Sequence, residues 1–109
     1  MNIVLMETAK RFLDSLPKKH QNKVYYNLNV VSAGSKNPRL FKKLEGHDIW
    51  EFRTEYEGYA YRLLAFWDKQ RRSMVVATHG FHKKSQKTPP KEIERAIKLR
   101  NEYYKGKTI

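Results

Sequence analysis

The chain has 109 residues and a mass of 13.0 kDa, which suits one domain, residues 1–109, built around a single hydrophobic core. Its net charge of +12 favours a polyanionic partner such as nucleic acid, and the lack of cysteine excludes disulfides, thiolate metal sites and cysteine nucleophiles. The N-terminal residues do not resemble a signal peptide, and no apolar run approaches the roughly 20 residues of a membrane helix. We therefore expect a cytoplasmic protein that does not associate with a membrane.

The N-terminal part of the sequence predicts one strand followed by two helices. The apolar run from Asn2 to Met6 predicts the strand, and Thr8 is placed to cap a first helix that Pro17 ends. A second helix is expected between Lys18 and the Ala33-Gly34-Ser35 stretch. Its apolar residues recur at helical spacing: Val24, Leu28 and Val31.

The remainder of the sequence predicts strands and a final helix. Ser35 to Asp48 is basic and turn-prone, and Leu40, Phe41 and Leu44 are expected to hold it against the rest of the domain. Thr88 and Pro89 are expected to be the N-cap and the first residue of the last helix. Between them lie three runs rich in aromatic and β-branched residues: Ile49–Tyr56, Tyr59–Trp67 and Ser73–His82. Because their connections are short, an antiparallel meander is favoured, and the expected fold class is α+β, a mainly antiparallel sheet covered by two N-terminal helices and a C-terminal helix.

Two arginines are expected to face each other across the first hairpin of this meander. If Glu57-Gly58 forms a two-residue turn, Arg53 lies directly opposite Arg62, and we call these two residues the arginine pair. Glu51 falls on the same face of the sheet. Like charges opposite each other destabilise a sheet, so the arginine pair needs either a bound phosphate or an ion pair with Glu51. The spacing alone leaves both interpretations open.

The segment from His79 to Lys87 places two histidines and three lysines at the end of the last predicted strand. Because that strand returns antiparallel to its predecessor, we expect His82, Lys83 and Lys84 to converge with the arginine pair. Such a group can bind RNA, since imidazoles exchange protons near neutral pH and cations stabilise the charge of a phosphorane. We interpret His79 itself as a core histidine.

Other candidate residues have simpler structural interpretations. His20 and His47 are expected on the surface, and the scattered histidines indicate no metal site. The lysines near the last helix can be solvated charge, although cations oppose the dipole at a helix N-terminus. Alternating aromatic residues on strands belong to a core more often than they stack on bases: Trp50, Tyr59, Tyr61 and Phe66.

Three stretches resemble the phage-derived, HigB-like branch of the RelE/ParE toxin superfamily in both sequence and order. They are IWEFR from Ile49, the Tyr61-Arg62 pair, and HGFHKKSQKTPPKEIERA from His79. The resemblance implies a small toxin with a RelE-like fold that is neutralised by a helix-turn-helix antitoxin. It also implies cleavage of mRNA in the ribosomal A site without a metal or other cofactor, so mRNA and rRNA are further implied partners.

The resemblance also implies roles for individual residues. Arg62 would hold the scissile phosphate, with Glu51 and Arg53 at the W-E-x-R positions. The general acid stays open between His82, Lys83 and a C-terminal tyrosine. The implied catalytic residues are Arg62, His82, Lys83, Lys84 and Glu51, and the implied RNA contacts are Arg53, Lys87 and Tyr61.

Three functions remain compatible with the sequence. The first is a ribosome-dependent, metal-independent mRNA endoribonuclease that inhibits translation. A gyrase inhibitor of the ParE kind is the second, because some branches of the superfamily bind that target. The third is an RNA-binding prophage protein without catalytic activity.

Overall fold

The computed structural model describes residues 1–106 and contains a five-stranded sheet with helices packed on both faces. Within those residues no helix has the length and apolar composition that a bilayer-spanning segment needs. The elements in chain order are β1 (Asn2–Leu5), α1 (Glu7–Asp14), α2 (Lys18–Ser32), β2 (Phe41–Lys43), β3 (Trp50–Tyr56), β4 (Tyr59–Trp67), β5 (Met74–His82) and α3 (Pro90–Tyr104).

The sheet has the strand order β1-β5-β4-β3-β2. Strands β2 to β5 form an antiparallel meander, whereas β1 pairs with β5 in parallel at the opposite edge from β2. The predicted α+β class with a mainly antiparallel sheet is therefore confirmed. Strand β2 lies inside the turn-prone Ser35–Asp48 segment, where no strand was predicted. A strand of three residues is too short to show a period-2 pattern in the sequence.

The two faces of the sheet carry separate parts of the core. Helices α1 and α2 cover one face, called the α1/α2 face, where Leu13 and Val24 pack on Phe52 and Leu63. Helix α3 covers the other face, called the α3 face, where Ala96 joins Ile49, Leu64, Phe66 and Val76. The alternation of side chains along β3 and β4 thus supplies both cores from the same strands.

Helix α1 approaches β5 closely at a glycine. A Cβ atom on Gly80 would lie 2.2 Å from Cδ2 of Phe12 and 2.7 Å from Cδ2 of Leu63. Real Cβ atoms do not approach other atoms so closely, so a side chain at this position would displace the Phe12 ring. The glycine is needed for the packing of Phe12.

An extra residue interrupts the pairing of β4 with β5. Leu64 pairs with His79, whereas the next residue of β4, Ala65, pairs with Ala77, so Thr78 has no partner and forms a β-bulge. The Thr78 hydroxyl donates to the Leu64 carbonyl at 3.1 Å. Because side chains alternate along a strand, one extra residue moves every later side chain of β5 to the opposite face.

The two threonines that were expected to cap helices contact the sheet instead. Thr8 lies inside α1, where Met6 is the N-cap, and its hydroxyl donates to the carbonyl of the bulged Thr78. Thr88 precedes Pro89, the N-cap of α3, and its hydroxyl donates to Glu51 at 2.9 Å. Both capping predictions were wrong, because these hydroxyls satisfy acceptors in the sheet.

Candidate nucleic-acid interface

The hairpin between β3 and β4 determines the position of the arginine pair. Glu57 and Gly58 both have positive φ, 48° and 82°, as a two-residue type I′ turn requires. Tyr56 therefore pairs with Tyr59, and Arg53 pairs with Arg62 on the α3 face. The predicted turn and register are confirmed.

Glu51 lies beneath the arginine pair and neutralises part of its charge. It is 3% exposed, and its Oε1 atom is 3.4 Å from Nε of Arg53 and 3.7 Å from Nε of Arg62. The hydroxyl of Thr88 holds the second carboxylate oxygen. Neither arginine Nε makes a hydrogen bond within residues 1–106, so the attraction to Glu51 is electrostatic. Of the two interpretations offered by the spacing, the ion pair with Glu51 is present in the structure.

Arg62 also contacts a second carboxylate, which the sequence did not single out. Its Nη1 donates to the Tyr61 carbonyl at 3.0 Å, and its Nη2 donates to Oε1 of Glu55 at 3.2 Å. The Arg62 side chain is 3% exposed, whereas that of Glu55 is 65% exposed. The sequence feature that could have identified Glu55 is its position two residues after Arg53, which places it on the same face of β3.

Two adjoining clefts open beside the arginine pair, with volumes of about 460 Å³ and 490 Å³. Arg53, Lys83 and Gln86 line both, and we call the combined feature the cationic groove. Three glutamates line it, Glu45, Glu51 and Glu55, against a larger number of cations: Lys42, Lys43, Arg53, Arg62, Lys83, Lys84 and Lys87. The excess of cations means that the groove attracts anions.

Lys83 lines both clefts of the cationic groove together with Arg53. Its backbone N–H donates to the Ala60 carbonyl at 2.8 Å, which continues the strand pairing by one residue. Burial lowers the pKa of its ammonium group, and the nearby charge of Arg62 lowers it further. Lys84 lines the part of the groove that contains Arg62. The structure thus brings both lysines to the arginine pair, as expected.

His82 does not join this group. It pairs with Tyr61 and lies on the α1/α2 face, with its ring 5.1 Å from that of Tyr59 and 5.6 Å from that of Tyr61. The predicted convergence of His82 with the arginine pair was wrong, because the bulge at Thr78 moved this side chain to the opposite face. Its catalytic role stays a prediction.

Tyr61 and His20 form a buried pair on the same α1/α2 face. Tyr61 is 5% exposed and His20 is 7% exposed, and the Tyr61 hydroxyl lies 2.7 Å from Nδ1 of His20. Nε2 of His20 is 2.9 Å from Glu57, and this hydrogen bond lowers the pKa of the Glu57 carboxyl. The expectation that His20 is a surface residue was wrong, whereas His47 is exposed as expected. The RNA contact through Tyr61 stays a prediction, and this residue is buried in the structure.

His79 lies in the core, as predicted. It is 1% exposed, with Nε2 3.0 Å from Glu92 and Nδ1 3.1 Å from the Thr78 hydroxyl. Burial lowers the pKa of its imidazole, while the hydrogen bond to Glu92 acts in the opposite direction. This histidine therefore fastens α3 to the sheet in its neutral form.

The C-terminal tyrosines lie far from the arginine pair. The Tyr103 hydroxyl donates to Oδ2 of Asp68 at 2.7 Å, and burial together with this bond raises the pKa of Tyr103 to about 12. Asp68 follows β4, six residues after Arg62, which corresponds to roughly 20 Å along a strand. This geometry does not favour Tyr103 as the general acid at the groove.

Comparison with known families identifies the chain. Residues 11–101 match the family described as "Phage derived protein Gp49-like (DUF891)". The chain belongs to this family. A comparison with curated proteins found no match.

Two solved structures show the same fold as this Gp49-like protein. One is the intact RelBE toxin-antitoxin complex of E. coli, at 15% sequence identity and a TM-score of 0.58, with 77% of this chain and 98% of that chain covered. The other is the RelBE2 toxin-antitoxin complex of Mycobacterium tuberculosis, at 25% identity and a TM-score of 0.53, with coverage of 75% and 96%. Together with the family match they confirm the predicted membership of the RelE superfamily.

Proposed function

We propose that this protein is the toxin of a type II toxin-antitoxin system and acts as a ribosome-dependent, metal-independent mRNA endoribonuclease. The observation that carries the proposal is the arginine pair, which lies within the cationic groove beside Lys83 and Lys84. A site of this kind suits an RNA phosphate that acquires negative charge during cleavage. Family membership and the RelE fold support the same assignment.

The proposed reaction is an internal transfer at one phosphate of the RNA. The 2′-oxygen of the preceding ribose forms a bond to phosphorus and releases its proton to solvent, while the bond from phosphorus to the 5′-oxygen breaks. Arg53 and Arg62 hold the phosphate and stabilise its added charge. Lys83 gives a proton to the leaving 5′-oxygen, a role that its lowered pKa favours, since proton transfer is most effective when the pKa lies near the working pH.

The remaining groove residues have binding and positioning roles in this proposal. Glu51 is buried between the arginines and orients them, so it acts on the phosphate through Arg53 and Arg62. Lys84 and Lys87 contact flanking phosphates of the mRNA or of rRNA. The charge of +12 supports ribosomal RNA as a partner.

We also propose a cognate antitoxin with a helix-turn-helix domain as the protein partner. Both of the solved structures described above are toxin-antitoxin complexes, and each covers at least 75% of this chain. Co-expression with the product of an adjacent reading frame, followed by co-purification, tests this partner directly.

Induced expression in bacteria with mapping of mRNA 5′ ends tests the proposed activity. We expect growth arrest and new ends within translated frames for the wild type, and a loss on the order of 10²–10³-fold in cleavage for Arg62→Ala. Lys10→Ala removes an exposed charge from α1, on the other face of the sheet, and should leave cleavage unchanged. Arg62→Lys keeps the buried positive charge, so it controls for folding, and because it lacks the planar guanidinium that suits a phosphate we expect its cleavage to fall as well.

Two outcomes would overturn the proposed nuclease activity. Arrest with DNA damage and intact mRNA would indicate a gyrase inhibitor. Normal growth with confirmed soluble expression would indicate an RNA-binding protein without catalytic activity.

A further inference from the structure

We infer that Glu55 is an internal anion that occupies Arg62 in the RNA-free protein and must leave before an RNA phosphate can bind there. The inference rests on the proposed function for the identity of the phosphate. It assigns a role at this site to Glu55, which lies outside the W-E-x-R positions and outside the stretch from His79 to Lys87.

Two terminal nitrogens of Arg62 already donate to acceptors within the protein, and these acceptors differ in mobility. Nη1 donates to the Tyr61 carbonyl, which belongs to the backbone and stays in place. Nη2 donates to Glu55, and Arg62 and Glu55 both line the cleft that also contains Lys83 and Lys84. Because the Arg62 side chain is 3% exposed and Glu55 already accepts from Nη2, we expect a phosphate to bind Nη2 when the Glu55 carboxylate moves away.

The two carboxylates near Arg62 differ in how easily they can move. Glu51 has a side chain 4% exposed and is held by Thr88 and by both arginines, so its departure would leave buried charge without compensation. Glu55 has a side chain 65% exposed and bonds Arg62 alone among residues 1–106. It can therefore rotate into water at little cost.

The cross-strand neighbour of Glu55 leaves room for this rotation. Glu55 pairs with Ala60, whose side chain is too short to restrain the glutamate. The cleft beside it is lined by the cations that would hold an incoming phosphate: Arg53, Arg62, Lys83 and Lys84. A phosphodiester carries the same unit charge as Glu55 and, unlike the carboxylate, can contact several of these cations at once, so it can replace Glu55 at Arg62.

Binding of an RNA oligonucleotide that cannot be cleaved tests the inference. A uniformly 2′-O-methylated oligonucleotide lacks the nucleophile, and fluorescence anisotropy reports its affinity for the purified protein without a ribosome. We expect Glu55→Gln to bind it roughly three- to tenfold more tightly than the wild type.

Glu7→Gln is the matched control, because Glu7 is also an exposed glutamate paired with an arginine, Arg11, but lies on α1. It should change affinity much less. In the Arg62→Ala background the gain from Glu55→Gln should vanish, and Glu55→Thr, which suits a strand, should reproduce the gain in the wild-type background. Thermal melting confirms that each variant is folded.

Several results would overturn the inference, and they differ from failure of the nuclease. Equal gains for Glu55→Gln and Glu7→Gln, a gain that persists without Arg62, or no binding by any variant would each show that Glu55 does not guard a phosphate site. If the Glu55 variants behave as expected and no mRNA cleavage is found, the phosphate site stands and the proposed nuclease activity falls.

Discussion

Lys83 and His82 are adjacent residues whose side chains lie on opposite faces of the sheet, and the proposed chemistry separates their effects. Lys83→Ala should lower mRNA cleavage by on the order of 10²–10⁴-fold, the usual contribution of a general acid. His82→Ala should change it less than threefold or so, because His82 contacts Tyr59 and Tyr61 and not the arginine pair. Cleavage of a translated message by purified ribosomes and protein measures both effects.

The pH dependence of the same assay identifies the role of Lys83. A general acid must carry its proton, so cleavage should fall as pH rises through the pKa of Lys83, which burial and Arg62 hold below the ordinary lysine value. Lys83→Arg keeps the charge but cannot deprotonate in this range, so this decline should disappear from its residual activity. A large loss in His82→Ala with near-normal activity in Lys83→Ala would instead place the chemistry on the α1/α2 face.

The limits of sequence reasoning are visible at these residues. Arg53 and Arg62 could be paired from the sequence because a two-residue turn leaves a single register. His82 could not be placed, since the bulge at Thr78 depends on hydrogen bonds to Thr8 and Leu64, which are distant in sequence. Glu55 lies as close to the arginine pair in the register of β3 as Glu51 does, so the same spacing could have identified it.

At the scale of elements, two side-chain contacts fasten the start of α3 to the sheet. Thr88 donates to Glu51, and His79 contacts Glu92. The first contact links the helix start to the carboxylate that orients the arginine pair. Sequence patterns located this helix within two residues but assigned Thr88 to capping, because a threonine before proline is typical of an N-cap.

The contact between His79 and α3 predicts a dependence of stability on pH. The pKa of His79 is lowered in the folded protein, mainly by burial, so the unfolded chain binds a proton more readily. The stabilisation from neutral His79 is therefore complete above the unfolded value of about 6.5 and is lost as pH falls from there towards the folded pKa. Thermal melts at pH 7.5, 6.5 and 5.5 should show Tm decreasing across this window.

His79→Gln provides the control for this decrease. Glutamine can contact Glu92 and Thr78 without titrating, at an expected cost of about 1–3 kcal/mol in the free energy of unfolding at pH 7.5. The charged groups around position 79, including Glu92 and Arg95, are present in both the wild type and the variant, so the comparison isolates the titration of His79. The Tm of the variant should decrease less between pH 7.5 and 5.5 than that of the wild type. An equal decrease would mean that His79 is not the titrating group.

At the scale of the whole molecule, positive charge extends well beyond the cationic groove. Seven lysines and arginines line the groove with three glutamates, whereas the chain as a whole has 23 basic and 11 acidic residues. Composition therefore predicted a polyanionic partner but not the surface that binds it. That surface follows from the sheet, which brings β2, the arginine pair and the residues after β5 to one face.

The salt dependence of RNA binding distinguishes a groove from a generally cationic surface. For single-stranded RNA, the slope of log affinity against log salt is about −0.7 for each phosphate neutralised. Lys87→Ala removes a groove cation and should make the slope shallower by about 0.7, whereas Lys10→Ala, an exposed lysine on α1, should leave it unchanged. Anisotropy titrations with the methylated oligonucleotide at several salt concentrations measure both slopes. Equal changes for the two variants would mean that RNA is held by the net charge of +12 and not by the groove.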